Sequence, residues 1–406
     1  MKELIRTYTE KYLNKNEIGF RLPGTIDLEE FWSHLQEARK KDAESIPLKD
    51  QKQNDFWFNI THLLQKRLHE IDADGRDSLF SAVKSEIAHE MIKESLIEEA
   101  LSSSVIEGAF STLKRARELA EGTKQPKDNS EQMVLNNFKA MRFIVENLGQ
   151  DFSRELILEL HRIVTENCLD DNAYAGKFRD DWVYVVDQNG QAIYTPPPAD
   201  QIEPLINELV EWTNLDSEES FIHPIIKASI IHFYMVYLHP FFDGNGRTAR
   251  ALFYFYLLKK RYDFFKYFSI STIICKNRSS YYKAIKDVED YGSDLTYFLL
   301  FMADTVLKAI LEIRTKISEQ YNREFFLDKI QALRIALNPR QDKFIKRFLL
   351  WSKKEVSIEK YEDLFKVVYQ TARSDLLDLA KKHILRKTRS GKKFIFSLNY
   401  DLLNKP

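Results

Sequence analysis

Two long apolar segments, 223–238 and 246–258, lie on either side of a short polar turn, and they constrain the fold of this chain more than any other feature. The first, HPIIKASIIHFYMVYL, is rich in β-branched residues, but it is too long for a typical strand, so its length favours a buried helix. Pro240 ends that helix, and the second segment, GRTARALFYFYLL, begins another. The sequence therefore predicts two buried helices joined by a tight turn.

Helical spacing of apolar residues extends over most of the chain. With only 12 Gly and 11 Pro in 406 residues, this spacing predicts a mainly α-helical fold. The first 95 residues contain several such segments, including DFWFNITHLLQKRLHEI (55–71), and residues 84–107 are predicted to form one long helix. Residues 316–340 are interpreted as a helical connector that ends near Asn338-Pro339.

One segment, DDWVYVVDQNGQAIYTPPP (180–198), departs from the helical pattern. It places β-branched and aromatic residues on both sides of Asn189-Gly190, which is a strong hairpin signal, and the three prolines 196–198 then end strand pairing. We predict a β-hairpin inserted in a helical protein. A simple surface excursion is the alternative.

Composition excludes several classes of protein. The formal net charge of −1 gives no overall attraction to nucleic acid or membrane, and Cys168 and Cys275 suggest neither a disulfide framework nor a cysteine-based zinc site. The first residues, MKELIRTYTEKYLNK, lack the apolar core of a signal peptide, and no apolar run reaches the roughly 20 residues that span a bilayer. These observations predict a soluble cytoplasmic protein of two or three domains with no membrane partner.

The turn itself, HPFFDGNGRTAR (239–250), brings together two glycines, two arginines, a histidine, an aspartate and an asparagine. Gly244 and Gly246 allow close approach of the backbone to a ligand and are expected to adopt positive φ. The second helix begins here, and its free amide groups and dipole form an anion site. Arg247 and Arg250 lie three residues apart, so both side chains can bind phosphate oxygens. GNGRTA also fits the dinucleotide-binding fingerprint, but that fingerprint requires a preceding strand.

Two further side chains complete this chemistry. Asp243 offers the hard oxygen ligand that suits Mg²⁺, and His239 is a base whose ordinary pKa lies near 6.5. An anion site, a metal-binding carboxylate and a general base together predict phosphoryl or nucleotidyl transfer.

The same stretch resembles the signature of the Fic (Fido) family, H-x-F-x-[DE]-G-N-G-R-x-x-R. Every defined position is filled, by His239, Phe241, Asp243, Gly244, Asn245, Gly246, Arg247 and Arg250. YAGKFRDDWVYVV…YTPPP is similar to the family's flap, which binds the main chain of a target protein by strand addition; here Val183, Tyr184 and Val185 would do so. NRSSYYKAI…GSDLTYFLLFM resembles the stretch whose paired tyrosines border the adenine pocket. The likeness covers roughly residues 95 to 310.

The resemblance implies a Fic-type helical core that transfers AMP from ATP to a hydroxyl group of a protein. His239 would deprotonate the target Ser, Thr or Tyr, and Asp243 would hold Mg²⁺ between the α- and β-phosphates. Asn245 and the two glycine amides would bind the α-phosphate, and the two arginines would bind the β- and γ-phosphates. The implied nucleotide-binding residues are Asp243, Gly244, Asn245, Gly246, Arg247, Thr248, Arg250, Tyr281 and Tyr282. Phe241 would be a buried anchor for the loop, and Tyr281 and Tyr282 could equally belong to the core.

SSSVIEG (102–108) resembles the family's inhibitory motif, [ST]-x-x-x-E-[GN], with Ser103 and Glu107 at the defined positions. Its place before the core implies the subclass with an N-terminal inhibitory helix. A Glu107 carboxylate paired with Arg250 would occupy the space of the γ-phosphate. The alternative is a helix end with an exposed Glu before a glycine C-cap.

The last 66 residues, 341–406, form a basic region with 16 Lys and Arg against 8 Asp and Glu. The order of three helices and two strands around Ser390-Gly391 resembles a winged helix-turn-helix, in which Arg373 would open the recognition helix and residues 386–393 would line the wing. Basic groups there suit phosphate contacts, but Asp375 and Asp378 on the same helix do not. DNA binding and a protein-interaction or regulatory module both remain open.

The residues and the family resemblance together predict an autoinhibited protein adenylyltransferase that uses ATP and Mg²⁺. A target protein and the enzyme itself are its candidate substrates, and a homodimer is its candidate assembly. A nucleotide-sensing DNA-binding regulator, and a Fic enzyme that removes AMP or transfers another group, are the alternatives. The predicted domains are an N-terminal helical region (1–110), a catalytic core (111–315), the connector (316–340) and the winged helix (341–406).

Overall fold

The structure, a computed structural model, describes residues 1–75, 85–186, 192–215, 221–351, 354–391 and 393–401. The chain divides into two compact units, Met1–Ile313 and Arg314–Pro406. Helices dominate the described residues, which confirms the mainly α-helical fold class predicted from the sequence.

The first unit begins with helices that pack around Phe31, Trp32 and Leu35, and a hairpin follows them in the chain. Its first elements are α1 (Lys2–Lys11), α2 (Lys15–Gly19), α3 (Leu28–Lys41), β1 (Glu44–Lys49), β2 (Asp55–Phe58) and α4 (His62–Gly75). The buried guanidinium of Arg39 fixes this region, because it donates to the hydroxyl of Tyr297 at 2.7 Å and to two backbone carbonyls of the first turns.

The hairpin β1–β2 corrects the prediction that residues 55–71 are helical. Residues 55–58 form a strand in register with β1, Glu44 opposite Phe58, and the helix begins only at His62. The carboxylate of Asp50 accepts the amides of Lys52 and Asn54, each at 2.8 Å, and so stabilises the turn between the strands. Tertiary pairing decides this segment, since its apolar run fits a strand or a helix equally well.

In the described part of the chain, helices form most of the rest of this unit, and the last of these helices continues past the end of the unit at Ile313. They are α5 (Ser85–Ile106), α6 (Leu113–Ala120), α7 (Asn129–Glu146), α8 (Arg154–Thr165), α9 (Ala199–Asn214), α10 (Pro224–Leu238), α11 (Asn245–Lys259), α12 (Ile270–Lys276), α13 (Arg278–Asp290) and α14 (Thr296–Ala332). Helices α10 and α11 are buried on almost every side, as the two apolar segments predict. Helix α5 confirms the long helix predicted before the core, within the described residues.

The flap, residues 180–198, contains a short hairpin. Strand β3 (Val185–Val186) pairs antiparallel with β4 (Ala192–Tyr194), whereas the Asn189-Gly190 turn lies outside the described residues. Of the three predicted strand-addition residues only Val185 belongs to a strand; Val183 and Tyr184 precede it outside any helix or strand.

The second unit is built on a three-stranded antiparallel sheet of order β5-β7-β6. Its elements after α14 are α15 (Pro339–Phe348), β5 (Glu355–Ser357), α16 (Ile358–Phe365), α17 (Tyr369–Lys381), β6 (Leu385–Ser390) and β7 (Lys393–Leu398). Arg373 lies in the second turn of α17, so it does not open that helix as predicted. Phe326 and Ile330, from the segment interpreted as a connector, are part of the hydrophobic core of this unit.

No helix in the described part of the chain combines the length and the apolar character needed to cross a membrane.

Candidate active site

The polar turn between α10 and α11 is a closed loop held by its own asparagine. Asn245 accepts the amide of Phe241 at 2.9 Å and donates Nδ2 to the carbonyl of the same residue at 2.8 Å. The chain enters the loop through His239 at φ 46° and reaches α11 through Gly244 at φ 81°. The Asn245 side chain therefore shapes the loop, and binding of a phosphate by this residue stays a prediction.

The two glycines of the turn serve different purposes. Gly244 has the positive φ expected from the sequence, and a Cβ there would also lie 2.6 Å from a methyl group of Thr165. Gly246 does not have positive φ, contrary to the sequence prediction, because it already belongs to the first turn of α11. A Cβ on Gly246 would lie 2.2 Å from Oε1 of Glu107, so its lack of a side chain allows that carboxylate to approach.

The imidazole of His239 is placed to act as a base. Its Nδ1 lies 3.3 Å from the carbonyl oxygen of Val236. Since a carbonyl only accepts, the neutral ring donates through Nδ1 and leaves the lone pair of Nε2 free. Burial lowers the pKa of His239 below 6.5, and the charge of Arg179 lowers it further, whereas Glu107 and Asp243 oppose that shift. The neutral ring therefore predominates at pH 7.

A second histidine, His161 of α8, packs against Phe241 of the loop. Its ring lies parallel to the ring of Phe241, with centroids 3.6 Å apart and an interplanar angle of 2°. Nδ1 accepts the amide of Gly176 at 3.0 Å, and Nε2 lies 2.9 Å from the carbonyl oxygen of Asp243, so the proton resides on Nε2. Burial lowers the pKa of His161 to about 4, which keeps the ring neutral.

Arg179 holds the other side of the loop and connects it to the flap. It is 3% exposed and donates Nε to the carbonyl of His239 at 2.8 Å. Its terminal nitrogens donate to the carbonyl of Asp181 at 2.9 Å and to the carbonyl of Pro197. The amide of Arg179 also donates to the carbonyl of Pro240 at 2.9 Å. One buried guanidinium thus fixes both ends of the flap to the residue that carries the candidate base.

Asp243 and Arg247 form an ion pair at the start of α11. Nη2 of Arg247 lies 3.0 Å from Oδ2 of Asp243, and Nη1 donates to the carbonyl of Val164 at 2.7 Å. The Asp243 side chain is 57% exposed, whereas that of Arg247 is fully buried. Arg247 therefore orients the exposed carboxylate from inside the protein.

Arg250 meets the C-terminal end of α5. It donates Nη2 to Oε1 of Glu107 at 2.8 Å and to the carbonyl of Ser103 at 2.9 Å, and Nε to the hydroxyl of Ser103 at 2.8 Å. The last turn of α5 tightens, because the amide of Glu107 donates to the carbonyl of Ser104 and leaves the carbonyl of Ser103 to the guanidinium. Gly108, at φ 91°, then ends the helix. Both residues of the predicted inhibitory motif thus contact Arg250.

Three buried polar atoms of α11 have no hydrogen-bond partner. They are Nη1 of Arg250, Nε of Arg247 and Oγ1 of Thr248. Nη1 of Arg250 lies beside Gly246, 3.1 Å from the position that a Cβ would take there. A buried cationic donor without a partner is costly, so this corner of the site suits an anionic oxygen. The amide of Thr248 donates to the carbonyl of Gly244 and is not available to a ligand.

The predicted tyrosine pair is divided between core and surface. Tyr281 is buried, and its hydroxyl lies 2.9 Å from Nε2 of His232, whose pKa burial lowers to about 3. Tyr282 is 43% exposed, with the guanidinium of Arg278 over its ring at 5.7 Å. Only Tyr282 is therefore accessible to a ligand.

A cleft of about 690 Å³ opens beside the base of the flap. Tyr194, Thr195, Tyr237 and Glu289 are among the residues that line it. Tyr237 precedes His239 by two residues, so the cleft reaches the end of α10. Burial raises the pKa of Glu289 to about 7.

The structure thus brings His239, Asp243, Arg250 and Glu107 together around one turn, as the sequence motifs require. Sequence reasoning missed His161 and Arg179. A lone histidine on an amphipathic helix and an arginine before the flap carry no motif of their own, and they reach the loop only through the fold.

Comparisons with known proteins identify two domains in this chain. Residues 151–257 match the Fic/DOC family, and residues 340–397 match a DeoR-like helix-turn-helix domain. A relative from Drosophila erecta named protein adenylyltransferase Fic is 31% identical over 259 residues, which cover 62% of this chain and 48% of that protein. This chain spans about half the length of the curated relatives it matches.

Solved structures show the same architecture. Fic-1 from C. elegans is 26% identical with a TM-score of 0.53, and the match covers 64% of this chain and 74% of the other. A Fic family protein from Desulfovibrio desulfuricans G20 is 19% identical with a TM-score of 0.55, covers 84% of this chain and 97% of the other, and shows likeness of fold alone. Residues 151–257 therefore form a domain of the Fic/DOC family, and a helix-turn-helix domain follows at 340–397.

Proposed function

We propose that this protein is an autoinhibited protein adenylyltransferase, which transfers AMP from ATP to a Ser, Thr or Tyr hydroxyl of a target protein. One observation carries the proposal. The base His239, the carboxylate Asp243 and the cation Arg250 surround one turn, and the carboxylate of Glu107 lies 2.8 Å from Nη2 of that arginine. Relatives named protein adenylyltransferase Fic support the reaction class.

His239 would activate the target hydroxyl. With the Nδ1 proton directed at the carbonyl of Val236, Nε2 accepts the hydroxyl proton. The oxygen then forms a bond to the α-phosphorus of ATP as the bond between that phosphorus and the bridging oxygen of the β-phosphate breaks. The products are the AMP ester of the protein and pyrophosphate. The imidazolium afterwards returns its proton to solvent.

The N-terminus of α11 would bind the phosphates. Its first amide groups have no helical partners, and Nη1 of Arg250 supplies a buried cationic donor beside them. These donors stabilise the negative charge that develops as the α-phosphorus is attacked. Arg247 would act indirectly, since its terminal nitrogens already hold Asp243 and the carbonyl of Val164.

Asp243 is the residue that would hold Mg²⁺. Its carboxylate is exposed and oriented by Arg247, and Mg²⁺ in nucleotide sites is bound by one or two carboxylates together with substrate phosphates. The described residues contain no group of three or more metal-ligating side chains, which is consistent with a metal shared with the nucleotide. When bound, the ion would neutralise phosphate charge.

Glu107 would inhibit the enzyme by competing with ATP for Arg250. The carboxylate occupies the guanidinium that a terminal phosphate would bind, and its negative charge beside Gly246 repels a phosphate from the same space. ATP could then bind only in a pose that does not present the α-phosphorus to His239.

Labelling with ATP tests the proposal. We expect Glu107→Gly to incorporate label from ATP labelled at the α-phosphate into itself or into proteins of a cell lysate, at least tenfold above wild type. His239→Ala in the Glu107→Gly background should abolish incorporation, whereas ATP labelled at the γ-phosphate should give none. Equal labelling by the single and double variants would rule out the assignment, and transfer of the γ-phosphate would change the reaction class.

A second candidate function, DNA binding, concerns the second unit. The sequence argument against it was the acidic pair on α17, but Asp375 is 6% exposed and accepts from Asn338 at 3.0 Å and from Arg340. Asp378 accepts from Gln341 at 2.9 Å. Both carboxylates are engaged by α15 and its N-cap. This arrangement, with the match to a DeoR-like domain, favours DNA over a protein partner.

A further inference from the structure

Helices α5 and α11 meet along two polar stripes of matching period. On α5, Glu99, Ser103 and Glu107 recur every four residues and so share one face. On α11, residues 246, 250 and 254 do the same. Glu99 contacts Tyr254, Ser103 contacts Arg250, and Glu107 contacts both Arg250 and the backbone at Gly246. The residue numbers rise along one stripe as they fall along the other. A single alignment of α5 along α11 therefore forms all three contacts at once.

Glu99 forms the far end of this contact. Its side chain is buried, with 2% of the residue exposed. Its carboxylate accepts the hydroxyls of Tyr254 and Ser269, each at 2.8 Å, the amide of Ser271 at 3.0 Å, and the hydroxyl of Ser271. Ser269 is the N-cap of α12, so the carboxylate connects α5 to α12 as well as to α11. All four donors are neutral, and none of them belongs to the site around His239.

We propose that Glu99 is a positioning residue that sets the register of α5 along α11 and thereby holds the carboxylate of Glu107 at Arg250. The inference rests on the proposed function, because it assigns a residue to the control of that same site. Glu99 lies two helical turns, about 12 Å, from Glu107, and acts on Arg250 only through α5.

We assign the register to Glu99, and not to another contact of α5, because of the strength of the four hydrogen bonds that its carboxylate accepts. Each is a hydrogen bond to a buried charge, which contributes more than a neutral bond. Apart from the contacts with Arg250, other hydrogen bonds on this part of α5 join neutral groups. Nδ2 of Asn137 donates to the hydroxyl of Ser104 at 2.8 Å, and the hydroxyls of Ser102 and Thr272 lie 2.9 Å apart. Helix α5 ends at Ile106, and at the other end of the stripe the contacts with Arg250 join its last turn to α11. Weakening the Glu99 end therefore frees the helix to move away from Arg250.

The test uses the full chain and the variant Glu99→Gln, which keeps the shape of the side chain but removes its charge and one acceptor. We expect self-labelling from ATP labelled at the α-phosphate to rise about tenfold above wild type, the change that follows from loss of roughly one charge-assisted hydrogen bond. Added to Glu107→Gly, the same substitution should give no further rise, since no carboxylate is left to position. Tyr254→Phe, which removes one donor and keeps the ring, should act in the same direction and less strongly.

Asp294→Asn is the matched control. Asp294 is also a carboxylate with 2% exposure and accepts a tyrosine hydroxyl, from Tyr12 at 2.8 Å, but it lies between α13 and α14 and its tyrosine partner follows α1. It should leave labelling at the wild-type level. Labelling of Glu99→Gln equal to wild type, or an equal rise in the Glu107→Gly background, would overturn the inference.

Hydrogen exchange gives a measurement that does not depend on activity. Glu99→Gln should speed exchange of the backbone amides of residues 100–107 about tenfold, with no change in α7. If Glu107→Gly itself fails to label, the proposed function fails, but faster exchange in this segment would still support the positioning role. Unchanged exchange would reject that role whatever the labelling shows.

Discussion

The ring of His161 lies flat against the ring of Phe241, 3.6 Å away, while its two nitrogens hold the amide of Gly176 and the carbonyl of Asp243. Such a ring cannot gain a second proton without losing the bond in which Nδ1 is the acceptor. The loop that carries the candidate base is therefore built on a histidine that must stay neutral.

The first prediction concerns acid stability. The pKa of His161 is lowered from 6.5 to about 4 by burial, so between these values the unfolded chain binds a proton that the folded chain excludes. Its stabilising contribution is complete above pH 6.5 and is lost as the pH falls to 4, by about 3 kcal/mol in the free energy of unfolding. Urea unfolding of wild type and of His161→Gln between pH 7 and pH 4 measures this change in the free energy of unfolding. The variant should be less stable at pH 7, and the gap should narrow toward pH 4; parallel curves would contradict the prediction.

The second prediction concerns the pH dependence of AMP transfer. Burial lowers the pKa of His239, and the charge of Glu107 opposes that shift. In Glu107→Gly the labelling rate should therefore rise with pH along an acid limb whose midpoint lies below 6.5, and it should be level at higher pH. Glu107→Gln, which also removes the charge but keeps the side-chain volume, should give the same midpoint. A midpoint above 6.5 in either variant would contradict the lowered pKa of His239, and a rate that does not rise with pH would exclude a neutral imidazole as the base.

The core of the site could be predicted from the sequence because its residues are contiguous. His239, Asp243 and Arg250 fall on one turn and the first helical turns after it, so spacing alone places them together. Glu107 was predicted by its motif, and the ion pair with Arg250 places it as expected.

Other features depend on contacts that no local pattern encodes. Arg179 reaches the loop across 60 residues, and Glu99 meets Ser271 across 172. The sequence predicts helix where the structure has strand β2, because a short buried apolar run has no period of its own. Asp375 looked unfavourable for DNA contact because its partner Arg340 lies on another helix. In each case a distant partner, and not the residue type, decides the role.

The third prediction concerns Arg179. Arg179→Met removes the donors to three carbonyls, those of His239, Asp181 and Pro197, and the carbonyl of the buried Pro197 is left without this partner. We expect a loss of at least about 3 kcal/mol in the free energy of unfolding. Limited proteolysis should also cut residues 180–186 faster, and labelling in the Glu107→Gly background should fall.

Arg179→Lys is the conservative variant to compare with Arg179→Met. It keeps the charge but cannot reach three carbonyls in different directions, so its effects should be intermediate. Stability and labelling equal to those of the parent in Arg179→Met would show that the flap and the loop are held by other contacts.

The fourth prediction concerns DNA binding. On α17 the side chain of Arg373 is exposed, and on β6 those of Lys387 and Arg389 are exposed, whereas Asp375 is buried. The full chain should bind duplex DNA with an affinity that falls steeply with salt. Arg373→Ala and Lys387→Ala should each weaken binding and reduce the salt slope by about 1, if each residue contacts one phosphate. Lys346→Ala is the control, because Lys346 is exposed on α15 and pairs with Asp342. Absence of binding at low salt would reject the DNA function, and an equal loss in the control would show that only overall charge attracts DNA.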